Sequence, residues 1–356
     1  MQISQNVEET MGDISKIDKN FKINTNINKE DIKFYDARVS PFRIYGIFYN
    51  NGKFRRMPEE ISKTVSTGVH FLHANTAGGR VRFKTNSPYV AINAKMECIT
   101  RMDHFPLCGS AGFDLYADGV YKNTFRPPYD MMGGYEGLIE LGAAETREIT
   151  INFPLYSDVC ELYIGLSDDA EINAPTPYRV EKPVVYYGSS VTQGGSASRP
   201  GMAYQSLISR EIDANFINLG FSGNAMAEEA IYNHIKSLDM SAFVMDYDYN
   251  SPSIEHLQST HEKMFLALRE AQPDLPIVLL CAPLAVLNEE YTVRREIIRT
   301  TYNNALSKGD KNVYFIDGPT LMALCGDEGT VDTTHPTDLG FFSMAQAVIK
   351  VLKQIL

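Results

Sequence analysis

The chain has 356 residues and a formal net charge of −11, with an isoelectric point near 5.2. Hydrophobic residues make up 44% of the sequence and charged residues 22%, which is an ordinary balance for a soluble globular protein. An acidic chain repels phosphate backbones and anionic lipids, so nucleic-acid partners and membrane partners are disfavoured. The length favours two domains over one.

The N-terminal segment, residues 1–30, is polar and contains neither a signal-peptide pattern nor an apolar run long enough to span a bilayer. The five cysteines are odd in number and show no close pairing, which argues against a disulfide framework and against a zinc site. We therefore expect a cytoplasmic protein with reduced thiols. The sequence is compatible with a homo-oligomer.

Residues 31–175 have the pattern of a β domain. Short apolar runs alternate with turn signals and no long helix intervenes, which predicts a jelly-roll-like β-sandwich. Strands are predicted at residues 42–47, 81–85, 90–94, 112–116, 148–153 and 160–165, and the Ala-Asp-Gly sequence at 117–119 predicts a hairpin turn.

Histidines in this region raise the question of a metal site. His70 and His73 are three residues apart, but side chains three apart on a strand face opposite sides, so we expect no metal there. The polar and aromatic residues 101–105, which include His104, are a candidate border of a ligand cleft.

A proline-containing linker at 173–177 leads into residues 176–356, where strands and helices alternate. This alternation predicts an α/β domain whose parallel sheet is covered by helices on both faces. Predicted strands lie at 184–187, 216–219, 242–245, 277–281 and 313–316. Predicted helices lie at 203–212, 227–237, 254–271, 293–306 and 339–352.

The first predicted strand of this domain ends at Gly188, followed by Ser189 and Ser190. Chemistry in an open α/β sheet lies beyond the carboxyl ends of the strands, so a serine on this turn is expected at the rim of the crevice with its hydroxyl exposed. The alternative interpretation is a serine that caps the next helix.

Near the C-terminus, Asp332 precedes His335 by three residues on one predicted loop. A nucleophilic serine needs a base to take its proton and a carboxylate to orient that base, and this loop can supply both. The alternative is a loop that simply leads into a helix, with Pro336 near the first helical position.

Three sequence blocks resemble those of the SGNH (GDSL) hydrolases, and the remaining block of the family is altered. Residues 188–192 (Gly-Ser-Ser-Val-Thr) resemble the Gly-Asp-Ser-Leu/Ile-Thr block, and 332–335 (Asp-Thr-Thr-His) the Asp-x-x-His block. Residues 218–224 (Asn-Leu-Gly-Phe-Ser-Gly-Asn) resemble the second block. The third block, Gly-x-Asn-Asp in the family, is altered here to Asp-Tyr-Asp-Tyr-Asn at 246–250.

The resemblance implies a flavodoxin-like sheet and a serine-dependent hydrolase that needs no metal and no cofactor. Ser190 would be the nucleophile, His335 the base and Asp332 its orienting acid. The oxyanion hole would use the backbone N–H groups of Ser190 and Gly223 and the side chain of Asn250.

Residues 112–116 (Gly-Phe-Asp-Leu-Tyr) are similar to the Gly-x-Asp-Leu-Tyr signature of a β-domain that precedes the hydrolase domain in one branch of this superfamily. That branch is similar to enzymes that remove acetyl groups from plant polysaccharides such as mannan and xylan. The implied partner is an acetylated oligosaccharide. Arg199 is a candidate donor to the substrate, and a surface-loop role is its alternative.

Two other functions stay open at this point. One is an esterase, thioesterase or deacylase that uses the same triad on an acyl substrate other than a carbohydrate. The other is a sugar-binding protein with weak catalysis, which the altered third block favours and the intact Ser190, Asp332 and His335 set opposes.

Overall fold

The structure is a computed structural model that describes residues 23–356. Residues 1–22, most of the polar segment predicted at 1–30, lie outside the described residues. Among residues 23–356, no helix has both the length and the apolar character needed to cross a bilayer.

The N-terminal part contains twelve short strands within the described residues. They are β1 Ile32–Asp36, β2 Arg43–Tyr45, β3 Phe48–Asn50, β4 Lys53–Arg55, β5 Arg80–Thr85, β6 Tyr89–Lys95, β7 Phe113–Ala117, β8 Val120–Phe125, β9 Gly134–Glu140, β10 Arg147–Asn152, β11 Glu161–Ser167 and β12 Ile172–Asn173. One antiparallel sheet has the order β1-β11-β6-β9. The second has the order β12-β5-β10-β7-β8, and β2 also pairs with β5. The predicted β domain is confirmed.

Alternation along the strands produces the core of this sandwich. On β5, Val81 and Phe83 are fully buried and pair in register with Ile151 and Ile149 of β10. These side chains join one apolar cluster with residues of the other sheet. Because alternate residues of a strand point to the same face, each sheet buries one apolar face against the other.

The predicted hairpin turn joins β7 to β8. Asp118 and Gly119 both have left-handed backbone angles, with φ of 53° and 75°. A two-residue turn of this kind needs φ above zero at both positions, which Asp-Gly supplies readily. The turn sets the register of β8 on β7, with Ala117 opposite Val120.

Two short helices, Glu59–Val65 and Thr67–Leu72, lie where a strand was predicted around His70 and His73. The prediction that these histidines face opposite sides of a strand is therefore wrong: their rings stack with centroids 5.1 Å apart. The Ser66 side chain caps the second helix by accepting a hydrogen bond from Val69 N at 3.1 Å. Burial lowers the pKa of His73 to about 4, so this imidazole is neutral at physiological pH.

The C-terminal part is a five-stranded parallel sheet. Its strands are β13 Val180–Gly188, β14 Ala214–Gly220, β15 Ala242–Asp246, β16 Ile277–Leu280 and β17 Val313–Ile316. The strand order is β14-β13-β15-β16-β17, which is the flavodoxin-like order. The predicted α/β fold class is confirmed.

Helices connect the parallel strands and cover the sheet. Those in this part of the chain are Ser190–Gln193, Tyr204–Ile212, Glu229–Ile235, Ile254–Ala271, Glu289–Ser307, Gly318–Leu321 and Asp338–Ile355, with 3-10 turns at Pro200–Met202, Asp248–Asn250 and Gly326–Gly329. A further short helix, Leu107–Ser110, belongs to the N-terminal part. Tyr204–Ile212 and Asp338–Ile355 pack on one face of the sheet. Glu229–Ile235, Ile254–Ala271 and Glu289–Ser307 pack on the other.

The two parts of the chain share buried surface. Val69 and Leu72, from the helix Thr67–Leu72, belong to the same apolar cluster as Val185 and Tyr187 of β13. Residues of the N-terminal part therefore cover part of the parallel sheet. The proline-containing linker is accordingly only one of several connections between the two parts.

Arg56 and Arg80 of the N-terminal part reach the edge strand β14. Arg56 is buried and donates to the carbonyl oxygens of Gly220 at 2.5 Å and Asn218 at 3.2 Å. Arg80 donates to the carbonyl oxygen of Phe216 at 3.3 Å. An edge strand leaves backbone groups without a neighbouring strand, and these arginines supply donors to its carbonyls.

Candidate active site

The turn after β13 places Ser189 and Ser190 at the carboxyl end of the sheet. A Cβ atom at Gly188 would collide with the backbone oxygen of Asp246 and with Thr192 Oγ1, so the close approach requires glycine. Ser189 is the N-cap, and its Oγ accepts a hydrogen bond from Val191 N at 3.2 Å. Ser190 begins the helix. Capping and a functional hydroxyl are thus assigned to adjacent residues.

Ser190, His335 and Asp332 lie in one hydrogen-bonded chain. Ser190 Oγ is 3.0 Å from His335 Nε2, and His335 Nδ1 is 2.7 Å from Asp332 Oδ2. With the Nδ1 proton donated to the carboxylate, Nε2 is left to accept the proton of the serine hydroxyl. This geometry is that of a serine nucleophile, a base and an orienting acid. Ser190 is only 9% exposed, less than the rim position suggested.

The Asp332–His335 loop is held in shape by its own backbone. Val331 N donates to the carbonyl oxygen of His335 at 2.9 Å, and Thr333 has a left-handed φ of 65°. Asp332 Oδ1 accepts hydrogen bonds from the backbone N–H groups of His335 at 2.7 Å and Thr334 at 3.0 Å. The backbone therefore holds the Asp332 carboxylate in position independently of its hydrogen bond to the imidazole.

These contacts also set the charge of Asp332. Partial burial acts to raise its pKa, but the hydrogen bonds from the backbone and ring of His335 and from Thr334 N outweigh burial, and the pKa falls to about 2. Asp332 is ionised at physiological pH and can stabilise a protonated imidazole.

The three predicted oxyanion donors are free to donate. Among the described residues, the backbone N–H groups of Ser190 and Gly223 have no acceptor. Gly223 has a φ of 68°, which favours glycine. Asn250 Oδ1 accepts a hydrogen bond from Ala225 N at 3.2 Å, so its Nδ2 group remains a donor. Their role toward a substrate stays a prediction.

Two buried acids lie behind the nucleophile turn. Asp246 Oδ2 accepts hydrogen bonds from Thr192 Oγ1 at 2.9 Å and Tyr204 OH at 3.2 Å. Burial, followed by the charge of Asp248, raises the pKa of Asp246 well above its ordinary value. Burial raises the pKa of Asp248 to about 6. No role was predicted for either acid, although an acid directly at the end of a buried strand is a usable sequence signal.

The N-terminal domain contributes His104 to the candidate active site. Its ring centroid lies 5.0 Å from that of His335. A cleft of about 290 Å³ is lined by residues near His104 in the chain, Arg101, Met102, Asp103, Phe105 and Leu107, and by Tyr129. The residues considered as a cleft border therefore do border a cleft. His104, Asp332 and His335 offer ligand atoms within 4.8 Å of one another and could hold a metal ion.

Arg199 is engaged at the domain interface. It donates to Asp114 Oδ2 at 2.8 Å and to Tyr116 OH at 2.5 Å, and its guanidinium lies 3.8 Å from the ring centroid of Tyr121. Gly201 N also donates to Asp114 Oδ2, at 2.8 Å. The Gly-x-Asp-Leu-Tyr stretch thus holds the loop that follows the nucleophile helix. Contact between Arg199 and substrate stays a prediction.

Comparison with known families matches both parts of the chain. Residues 181–353 match the GDSL-like lipase/acylhydrolase family, and residues 32–172 match the N-terminal domain of SGNH-hydrolase-type esterases. A comparison with curated proteins found no match.

Solved structures agree with these matches. A structure from Bacteroides ovatus described as a GDSL-like lipase is 31% identical, with a TM-score of 0.81 over 91% of this chain and 98% of that chain. A salicylyl-acyltransferase from a tetracycline biosynthetic pathway is 19% identical, with a TM-score of 0.76 over 92% and 99%. An acetyl xylan esterase from the rumen bacterium Butyrivibrio proteoclasticus is 13% identical, with a TM-score of 0.58 over 91% and 98%. The last two likenesses show the fold alone.

Proposed function

The chain belongs to the GDSL-like lipase/acylhydrolase family, and from this we propose that it is a serine esterase that removes O-acetyl groups from carbohydrates. The substrates we propose are oligosaccharides derived from plant polysaccharides such as mannan or xylan. The observation that carries the catalytic part is the hydrogen-bonded chain from Ser190 through His335 to Asp332.

The reaction has two stages. His335 Nε2 takes the proton of Ser190 as Oγ attacks the acetyl carbonyl. The bond to the sugar oxygen then breaks, and that oxygen leaves with the proton carried by His335. In the second stage His335 takes a proton from water, the water oxygen attacks the acetyl-serine, and acetate is released with Ser190 restored. Asp332 stabilises the imidazolium in both stages.

Negative charge develops on the carbonyl oxygen at each attack. The N–H groups of Ser190 and Gly223 and the Asn250 amide are the proposed donors to it. Removing one donor of this kind typically costs about a hundredfold or more in kcat. Asn250 is the donor that can be removed by side-chain substitution.

The carbohydrate part of the proposal is supported by the N-terminal domain. That domain places His104 against His335, and the residues on either side of His104 in the chain, Asp103 and Phe105, line a cleft. Tyr129 on this cleft is 84% exposed, so its ring offers an apolar face to a ligand. Because the chain shares its fold with an acetyl xylan esterase, acetyl is the acyl group that should be tested first. In the predicted cytoplasmic location the substrate is an imported oligosaccharide.

Mass spectrometry of acetylated mannan and xylan oligosaccharides, before and after incubation, tests the proposal. We expect wild type to lower the acetyl content and Ser190→Ala to leave it unchanged. Turnover of a small activated acetyl ester without loss of acetyl groups from either oligosaccharide would rule out these carbohydrates as the substrate. A profile of acyl chain length would then identify the preferred acyl group. No turnover of either substrate would favour the sugar-binding alternative.

A further inference from the structure

A second cavity, of about 180 Å³, lies between the two domains. The sandwich contributes Arg80 and Arg82 on one side. Helix Tyr204–Ile212 contributes Arg210 on the other, and Tyr178, directly after the linker, completes this part of the wall. None of these residues belongs to the candidate active site.

Arg82 has an unsatisfied donor in this cavity wall. The residue is 7% exposed, and its Nη1 is buried without a hydrogen-bond partner among the described residues. Its Nη2 lies 3.5 Å from Glu148 Oε1. That carboxylate also accepts a hydrogen bond from Thr176 N at 3.1 Å and lies 3.7 Å from Lys84 Nζ. A buried donor without an acceptor is costly, so an acceptor from outside the chain would be stabilising.

Arg80 and Arg210 bring further positive charge without an ion pair in the described part of the chain. Arg80 donates to Tyr178 OH at 3.1 Å and to Asn215 Oδ1 at 2.7 Å. Arg210 donates to the carbonyl oxygen of Gly201 at 2.8 Å. Burial lowers the pKa of both guanidinium groups, which means that their charge is poorly solvated there.

The acids on the wall are Glu148 and Asp213. Asp213 is exposed, and its Oδ2 accepts a hydrogen bond from Arg179 N at 3.0 Å. Three arginines therefore face two carboxylates on this wall. Glu148 is already shared among Arg82, Lys84 and Thr176 N. The local charge is positive in a protein with a net charge of −11.

We propose that this interdomain cavity binds a small oxyanion of the phosphate class, either free phosphate or the phosphate of a small ester. The guanidinium fork matches two oxygens of such an anion, and arginine is favoured where this bidentate geometry is used. The volume is below the roughly 300–1,000 Å³ of pockets for drug-sized ligands, which suits a small anion.

A purely structural role explains only part of this arrangement. The hydrogen bonds of Arg80 to β14 and to Tyr178 account for that side chain as an interface contact. The Arg82 guanidinium lies 4.1 Å from the ring centroid of Tyr178, which accounts for its stacking at the interface. That contact supplies no acceptor to Arg82 Nη1, and an anion would.

Isothermal titration of the full-length protein with inorganic phosphate tests the proposal, with sodium chloride at matched ionic strength as the reference. We expect saturable binding by wild type and a loss of affinity of at least about tenfold in Arg82→Gln. Arg299→Gln, which removes a half-exposed arginine of the helix Glu289–Ser307, is the control and should bind as wild type does. Titration with glycerol 3-phosphate distinguishes a phosphate ester from free phosphate.

Circular dichroism and thermal melting must show that each variant is folded. If Arg82→Gln does not fold, Arg210→Gln is measured in its place, with the same expected loss. No saturable binding by wild type would overturn the proposal, as would wild-type affinity in a folded Arg82→Gln or Arg210→Gln protein. The arginines would then serve the domain interface alone.

Discussion

Ser189 and Ser190 are adjacent hydroxyl residues whose contacts differ. Ser189 Oγ accepts a hydrogen bond from Val191 N, whereas Ser190 Oγ is hydrogen-bonded to His335 Nε2. We predict that Ser190→Ala abolishes turnover of a small activated acetyl ester and leaves the fold intact. Ser189→Ala should keep measurable turnover but lower the free energy of unfolding by about 1 kcal/mol, because it loses a helix cap. Turnover by Ser190→Ala together with an inactive Ser189→Ala would reverse the assignment.

The low pKa of Asp332 determines how stability and the reaction rate should depend on pH. A carboxyl whose folded pKa is about 2 contributes stability above the ordinary aspartate value of about 3.9, and this contribution is lost as pH falls through the folded pKa. The acid limb of a pH–rate profile above about pH 4 therefore reports a group other than Asp332.

We accordingly expect Asp332→Asn to lower kcat by about 10²–10⁴, since the imidazole loses the acid that orients it and stabilises its charge. The loss should persist across the accessible pH range. Asp327→Asn changes an exposed acid of the preceding turn and serves as the matched control. A wild-type kcat in Asp332→Asn would rule out the orienting role.

At the level of single residues, the order of short motifs was enough to select Ser190, Asp332 and His335. It could not select His104, because the contact of His104 with His335 depends on how two domains dock. It also passed over Asp246 and Asp248, whose burial depends on the packing of the whole sheet.

Among the elements, the Gly-x-Asp-Leu-Tyr strand β7 acts on the other domain through Asp114. This residue is fully buried and accepts hydrogen bonds from Arg199, Gly201 N and Asn152. Asp114→Ala leaves the Arg199 guanidinium without its carboxylate. Breaking a buried pair in this way typically costs about 3–5 kcal/mol, and we expect a loss of this size in urea unfolding.

The control for Asp114 is Asp169→Ala, an exposed acid of the same domain, which should change stability by no more than about 0.5 kcal/mol. Equal stability of Asp114→Ala and Asp169→Ala would mean that the clamp on residues 199–201 is not a stabilising contact.

The strand β15 ends in Asp246. The pKa of Asp246 is raised, so its shift is opposite in direction to that of Asp332. The folded state holds the proton more tightly than the unfolded chain, so stability falls as pH rises from the ordinary aspartate pKa toward the folded one. We predict that Asp246→Asn, which keeps the shape of the protonated acid, removes this part of the pH dependence.

Urea unfolding of wild type and Asp246→Asn at several pH values measures the effect as a difference between the two proteins. The variant should gain relative stability as pH rises above about 4. A difference that does not change with pH would show that Asp246 titrates alike in the folded and unfolded chains.

The regular elements were largely predictable because their periodicity is local. The helix Ile254–Ala271 has the bounds that its pattern predicts, and the strand interiors agree as well. The helices Glu59–Val65 and Thr67–Leu72 were missed. Isolated helices of this length are marginal in water, so their form depends on packing against the parallel sheet, which no local pattern reports.

For the molecule as a whole, the arrangement of the two domains is the feature that the sequence does not contain. The proline-containing linker predicted where one domain ends and the next begins. The contact between the two domains depends on hydrogen bonds of Arg56, Arg80 and Asp114 to groups distant in the chain. This docking places His104 of the sandwich against His335.

If the sandwich holds sugar, a change on its cleft should affect carbohydrate more than a minimal ester. We predict that Tyr129→Ala lowers kcat/KM on acetylated oligosaccharide at least several-fold and leaves the rate on a small acetyl ester near wild type. Binding energy from remote parts of a substrate acts at the reacting centre, and the minimal ester lacks those parts.

Phe48→Ala is the matched control, since Phe48 is 40% exposed and lines a different surface pocket. It should affect both substrates equally or not at all. Equal losses on both substrates in a folded Tyr129→Ala protein would indicate that the sandwich supports the hydrolase domain structurally and does not contact sugar.

The central claim is that Ser190 carries the acyl group during turnover. Acid-quenching the enzyme during reaction with an activated acetyl ester, followed by peptide mass spectrometry, tests it most directly. We expect the mass of one acetyl group on the peptide that contains Ser190, no such mass in Ser190→Ala, and greater accumulation in His335→Ala if that variant still acylates. An acetyl group found on another residue, with Ser190 unmodified in an enzyme that turns over, would contradict the account.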